Sequence, residues 1–223
     1  MLEDYTIVVT NNQTSGRGQI DSSWESKPFK NLTFSIFTSF KSLEIKNQAY
    51  LNFAVSLAIF DTLKVLSVPN LHIKWPNDIM SANKKICGIL IETTFKQQLV
   101  KNTVIGIGLN VNQEIFSEKL PNASSLKIIF KKEFDLEKIL ISIVDSLKIK
   151  INELEQKNLD SIQKEYHKAL YKIGIPTTFK ETRTGILFTG IIVGVSELGK
   201  IQIQKEDDST NEYNIKEISF AKV

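Results

Sequence analysis

Residues 71–112 read LHIKWPNDIMSANKKICGILIETTFKQQLVKNTVIGIGLNVN, and the spacing of apolar runs and turn formers within them sets the fold class. The runs 71–75, 85–93 and 99–112 are rich in Ile, Val, Leu and Thr and predict strands. Between the first two stand Pro76-Asn77-Asp78 and Ser81-Ala82-Asn83, residue types that turn chains, so this stretch is expected as a loop. Gly106 and Gly108 interrupt the third run; glycine inside a strand marks close approach of a ligand or of another backbone.

Upstream, Tyr-Thr-Ile-Val-Val-Thr at 5–10 predicts a buried strand, and 11–31 a long polar loop. Such length without periodicity in a compact domain is usually functional or disordered. Residues 32–40 alternate Leu32, Phe34 and Ile36, a second strand. Residues 47–66 place Leu51, Ala54, Val55, Ala58, Thr62, Leu63 and Leu66 on one helical face. Downstream, 121–125 is a loop, 135–154 has helical spacing with Asp135 as N-cap, and 159–170 predicts a second helix beside it. Past Gly174-Ile175-Pro176 the pattern changes to short β-rich pieces at 177–180, 187–195, 199–204 and 212–215, as in a small barrel of about five strands. The expected architecture is α+β: a mixed sheet flanked by helices over 1–171, then a small β-barrel over 172–223.

The 223 residues, 42% apolar, suffice for one core with a small appended domain. No stretch approaches the ~20 apolar residues of a membrane span, and Met1-Leu2-Glu3-Asp4-Tyr5 is no signal pattern. The expected location is therefore cytoplasmic, away from the membrane. A lone Cys87 makes neither an internal bridge nor a multi-cysteine zinc site. The net charge of +3 is interspersed, and 172–223 carries equal numbers of acids and bases, so nucleic acid is not expected as a partner.

Three segments carry chemistry. In Gln13-Thr14-Ser15-Gly16-Arg17-Gly18-Gln19, upstream of Trp24, two glycines let backbone approach an anion while the guanidinium supplies planar charged donors; alone, the heptad reads equally as an exposed turn. In Lys74-Trp75-Pro76-Asn77-Asp78 and the following Lys84-Lys85-Ile86-Cys87-Gly88-Ile89-Leu90-Ile91-Glu92, a strand-end lysine can offset phosphate charge and a carboxylate can hold Mg²⁺. Singly, these residues read as a packed turn, a solvated lysine pair and a turn carboxylate. In Gly106-Ile107-Gly108-Leu109-Asn110-Val111-Asn112, the glycines leave space for a flat adenine and Asn110 offers donor and acceptor, although it could simply end a strand. The third glycine and following helix of a dinucleotide fingerprint are absent.

These blocks, in this order, resemble the biotin protein ligase family: Gln-Thr-Ser-Gly-Arg-Gly with a downstream Trp, Lys-Trp-Pro-Asn-Asp, Lys-Ile-Cys-Gly-Ile-Leu-Ile-Glu, and Gly-Ile-Gly-Leu-Asn-Val-Asn. The resemblance runs from about residue 5 to the C-terminus. It implies a class II synthetase-like catalytic domain, an SH3-like terminal domain, and a ligase that uses ATP and Mg²⁺ to form biotinyl-5'-AMP before passing biotin to a lysine of a biotin carboxyl carrier protein. Carried over by motif, Gln13, Gly16, Arg17, Gly18, Lys85 and Gly88 would bind biotin. Arg17, Trp24, Lys74, Asn77, Lys85 and Asn110 would bind ATP. Asp78 would be associated with the metal, and Lys85 and Arg17 would be catalytic. A homodimer is also within the family's habit.

Two departures stand out. Gln19 occupies a position where the family often has a second arginine, so the loop would retain the adenylate with fewer charges. Nothing matches the family's upstream Asp-Ser-Thr-Asn-like segment; the chain is expected to lack the first strand and helix of the catalytic domain, to leave a sheet edge uncovered and to be weakly active. Lipoate or octanoate ligation, and a non-catalytic module that binds an adenylate or a carrier, are the alternatives. A repressor role would need a helix-turn-helix that the sequence does not show.

Overall fold

The computed structural model describes residues 2–20 and 22–221. In chain order the elements are β1 (Ile7–Thr10), β2 (Gly16–Arg17), β3 (Ser23–Trp24), β4 (Leu32–Ser39), α1 (Gln48–Val65), β5 (Leu71–Lys74), β6 (Asp78–Ser81), β7 (Lys84–Lys96), β8 (Leu99–Leu109), α2 (Leu126–Phe130), α3 (Leu136–Glu155), α4 (Leu159–Ala169), β9 (Pro176–Glu181), β10 (Leu187–Val195), β11 (Ile201–Lys205), β12 (Thr210–Tyr213) and β13 (Ile218–Phe220). Six strands form one antiparallel sheet in the order β1-β4-β8-β7-β6-β5, and five form a second in the order β12-β11-β10-β9-β13. This is the α+β arrangement with a small C-terminal β unit. Among the described residues, no helix is long and apolar enough to cross a membrane.

One face of the large sheet carries the core. Phe34 and Ile36 on β4, Ile105, Ile107 and Leu109 on β8, and Cys87 and Ile89 on β7 are buried there, because alternate residues of a strand point to the same side. Helix α1 is buried almost all round, from Tyr50 through Leu63, packing against α3, α4, β5 and β6; a helix apolar on every side belongs inside a protein. Helix α3 starts where Asp135 accepts from the backbone N–H groups of Glu137 (3.0 Å) and Lys138 (3.2 Å), a cap of about 1 kcal/mol. Helix α4 is tied to the C-terminal sheet by the Val195 N–H donating to His167 Nε2 at 2.9 Å.

Three expectations are corrected. The segment at 5–10 is not buried: β1 is an edge strand, with Ile7, Val8 and Val9 exposed. The stretch 76–84 is not all loop, since β6 pairs with both β5 and β7 and buries Ile79 and Met80. The 11–31 segment contains a short ribbon, with Gly16 opposite Trp24 and Arg17 opposite Ser23.

Candidate active site

The opposite face of the large sheet floors a cavity of about 570 Å³. The registers define one row across all six strands: Lys74 opposes Asp78, Asp78 opposes Gly88, Gly88 opposes Gly108, Gly108 opposes Thr33 and Thr33 opposes Thr10. Opposed residues share a face, and all six line the cavity. The row is charged at one end, side-chain-free in the middle and hydroxylic at the other.

Lys85 joins the charged end through a β-bulge. Ile79 pairs with Cys87, but Met80 pairs with Lys85, so Ile86 is an extra residue on β7. Strict alternation from Gly88 would send Lys85 into the core; the inserted residue turns it to the cavity face, the kind of re-aiming bulges provide beside active sites. There Lys85 Nζ lies 2.6 Å from Asp78 Oδ1. Lys74 stands behind the pair, its Nζ 4.9 Å from the Phe220 ring centroid. Burial pulls its ammonium below the ordinary lysine range, with Lys85 and Lys172 adding to the effect and Asp78 opposing it. Three charged groups thus share one end of the floor.

The hairpin carrying them is fixed by neutral hydrogen bonds. Asn77 Nδ2 donates to the Ile89 carbonyl (2.7 Å) and Asn52 Nδ2 to the Pro76 carbonyl (2.6 Å). Trp75 Nε1 donates to the Gly199 carbonyl (2.9 Å), joining this turn to the C-terminal sheet. Asn77 and Asp78 both line the cavity.

The roof is the 11–31 segment. The Arg17 guanidinium meets Glu92 of β7 at 3.1 Å, and Lys216 Nζ donates to the Ile20 carbonyl at 2.6 Å. Gly18 lines the cavity as well. Gly16 sits where an added Cβ would lie 2.8 Å from Gln13 Oε1 and would collide with the Trp24 backbone; only glycine lets this ribbon close. The Trp24 indole rests on the sheet: a Cβ at Gly108 would fall 2.6 Å from its Cζ2, and one at Gly88 3.3 Å from its Cζ3. Gln13 Oε1 and Trp24 Nε1 are buried without a hydrogen-bond partner. Each such orphan costs about 1–3 kcal/mol.

Gly108 accommodates the indole of Trp24 in this conformation. Asn110 stands just past the end of the same strand, with its Oδ1 buried and without a hydrogen-bond partner. It is buried and outside the cavity lining, its Nδ2 donating to the Ser124 carbonyl at 3.0 Å. The segment after β8 is a bracket of amides: Asn112 exchanges bonds with the Phe134 backbone, and Gln113 Oε1 accepts from Asn31 Nδ2 at 2.6 Å. Gly88 has both Lys85 Nζ and Trp24 within 3.3 Å of a would-be Cβ, so it clears space for the lysine and the indole. Sequence reasoning missed four residues that line the cavity: Thr33 and Ser35 on β4, Lys216 in the turn before β13, and Phe220 on β13. The alternation of β4 carried a signal for the first two; the last two come together with the site only in the tertiary fold.

Among the described residues, no group of three or more His, Cys, Asp or Glu side chains could hold a metal. The floor does offer Asp78, and Mg²⁺ is commonly held by one or two carboxylates together with substrate phosphates. The donor set fits an ion that arrives with a nucleotide.

The fold is α+β with a sheet-floored cavity, and comparison with known proteins shows what shares it. The sequence model of the biotin/lipoate A/B protein ligase family matches residues 1–110. The bifunctional ligase/repressor BirA of Bacillus spizizenii is 25% identical over 205 residues, 91% of this chain and 62% of that protein. The biotin--[acetyl-CoA-carboxylase] ligase of Mycobacterium tuberculosis is 31% identical over 126 residues, 55% of this chain and 45% of that protein. The biotin protein ligase of Aquifex aeolicus, solved in complex with biotin and ATP, superposes with a TM-score of 0.82 at 25% identity, covering 100% of this chain and 91% of that one. The chain is thus similar over almost its whole length to proteins named as biotin protein ligases, and the match to the biotin/lipoate A/B protein ligase family model takes in its first 110 residues. It spans 62% of the length of the Bacillus relative.

Proposed function

We propose that this protein is an ATP-dependent biotin protein ligase. A carboxylate oxygen of biotin attacks the α-phosphorus of ATP, pyrophosphate leaves, and biotinyl-5'-AMP remains in the cavity. The ε-amine of a lysine on a biotin carboxyl carrier domain then attacks the activated carbonyl, and AMP leaves. The observation that carries the reading is the bulge that turns Lys85 onto the cavity floor beside Asp78, at the one place where two anions must be brought together.

Lys85, with Lys74 behind it, offsets the repulsion between carboxylate and α-phosphate and stabilises the charge that builds up during in-line displacement. Asp78 orients Lys85 and would hold Mg²⁺, which supplies charge neutralisation on the nucleotide phosphates. Arg17, on the roof, exchanges Glu92 for the phosphate or carboxylate of the bound adenylate. Gly16 and Gly18 let that backbone come close, and Trp24 seals the floor against water, which would hydrolyse the mixed anhydride. Gln13 lines the acid's side of the cavity. The ATP side is formed by Lys74, Asn77 and Trp24; Asn110 supports it from beneath through Ser124. Names of relatives and the biotin- and ATP-bound neighbour support this assignment.

The test is the mass of a purified biotin carboxyl carrier domain after incubation with the protein, ATP, Mg²⁺ and biotin. The expected result is a single biotin-sized increase that depends on ATP. An unchanged carrier, or an increase obtained with lipoate or octanoate and not with biotin, overturns the assignment.

A further inference from the structure

Two hydroxyls on the cavity floor have no work in the account so far. Thr33 and Ser35 sit on the cavity face of β4, opposite Gly108 and Gly106 respectively. Thr10, the row's other hydroxyl, is engaged with Asn12, donating to its carbonyl at 3.0 Å. Among the described residues, neither Thr33 nor Ser35 donates a side-chain hydrogen bond to the protein, and neither oxygen is sealed from the cavity as the orphan groups at Gln13 and Trp24 are. The Ser35 Oγ would lie 3.8 Å from a Cβ built at Gly106, so it leans over that glycine.

Around them the floor is apolar: Leu90 and Val8 flank Gly106 and Ser35 in the next cross-strand row, and all four residues line the cavity. The hydroxyls are two polar points in an otherwise greasy strip. Their distance from the charged end also matters. Strand β7, which carries Lys85, is two strands away from β4, and two strand spacings are ~10 Å. An acid with its carboxylate at Lys85 and a short alkyl chain across Gly106 brings its far end over β4.

Resting on the biotin ligase reading, we propose that Thr33 and Ser35 are specificity-determining residues that recognise the polar head of the acid, a cyclic urea. A hydroxyl both donates and accepts, so the pair can donate to the urea carbonyl and accept from its N–H. An acid ending in a dithiolane or a plain alkyl group offers these hydroxyls no partner and leaves them desolvated and unpaired. A site built to hydrogen-bond its ligand rejects analogues that lack the matching group far more strongly than an apolar pocket separates apolar ligands.

The experiment compares wild type with Ser35→Ala and Thr33→Val, near-isosteric changes, in pyrophosphate release driven by biotin, lipoate or octanoate. Each variant is expected to raise the KM for biotin roughly 10-fold with kcat and the KM for ATP held, and to leave turnover of octanoate and lipoate unchanged or improved. The double variant is expected to lose most of the preference for biotin. Titration of biotin alone into each protein gives the same ranking without turnover. Unchanged KM for biotin in both variants, or equal losses with all three acids, overturns the inference while wild-type turnover of biotin leaves the functional reading standing. A wild type that releases no pyrophosphate with biotin overturns both.

Discussion

The floor and the roof of the cavity are built in different ways. The floor is the middle of a six-stranded sheet, where Lys85 is followed by fully buried Ile86 and Cys87 and its direction is set by a bulge. The roof is a polar segment whose Arg17 side chain is 73% exposed and held by one ion pair to a half-exposed Glu92. An exposed pair of this kind contributes about 0–1 kcal/mol. On the proposed ligase reading, charge that must be positioned to fractions of an ångström sits on the rigid element, and water exclusion falls to a segment held by weaker contacts.

The contrast fixes the order of the expected effects. Largest is Lys85→Met, which removes the cation from the floor: kcat/KM for biotin-dependent pyrophosphate release is expected to fall ~10²–10³-fold, with an unchanged circular dichroism melt. A variant within threefold of wild type would break the assignment of charge to the floor. Next is Gly108→Ala, whose new methyl collides with the Trp24 indole. The roof is expected to lift, and the adenylate to hydrolyse about 10-fold faster in a chase without carrier. Pairing it with Trp24→Ala should give less than the sum of the two single effects; strict additivity would mean that the two residues do not act through that contact.

Smaller is Glu92→Gln, which cuts the roof's exposed tether. A change of about threefold or less in turnover is expected, shrinking further at high salt. A loss as large as that of Lys85→Met would erase the distinction between the two regions. Smallest is the reaction of Cys87 with iodoacetamide in the native state. It lies fully buried on β7 between Lys85 and Gly88 in the chain, and burial pushes its thiol well up from the ordinary range, so only unfolded protein should be labelled. Rapid labelling of the native chain would show that the floor opens.

Much of the frame was legible in the chain, and the failures have physical causes. Helices α1, α3 and α4 and the main strands follow from apolar period, and the Asp135 cap from its residue type. Strand β6 did not show: its four residues lie between Pro76-Asn77 and Ala82-Asn83, whose turn signal outweighs two apolar side chains. The motif pointed to Lys85, but its aim depends on the extra Ile86 in the ladder, a property of pairing that no single strand displays. Asn110 shows how an amide at a strand end can pin a loop, its Nδ2 donating to the Ser124 backbone while its Oδ1 has no partner, a division that the sequence does not display. Val8 and its neighbours were expected to be buried because β-branched runs usually are, yet they lie on the sheet's edge. Contributions from Lys216 and Phe220 depend on how the C-terminal sheet docks, which leaves no local trace.

The most direct test is a crystal structure with a non-hydrolysable biotinyl-adenylate analogue. The expected density places the linkage between acid and nucleotide within hydrogen-bonding distance of Lys85 Nζ, the alkyl chain over Gly106, and Arg17 moved from Glu92 onto the ligand. An analogue bound elsewhere, with Lys85 still paired to Asp78 and the cavity empty, would contradict the claim that the sheet floor is where acid and nucleotide meet.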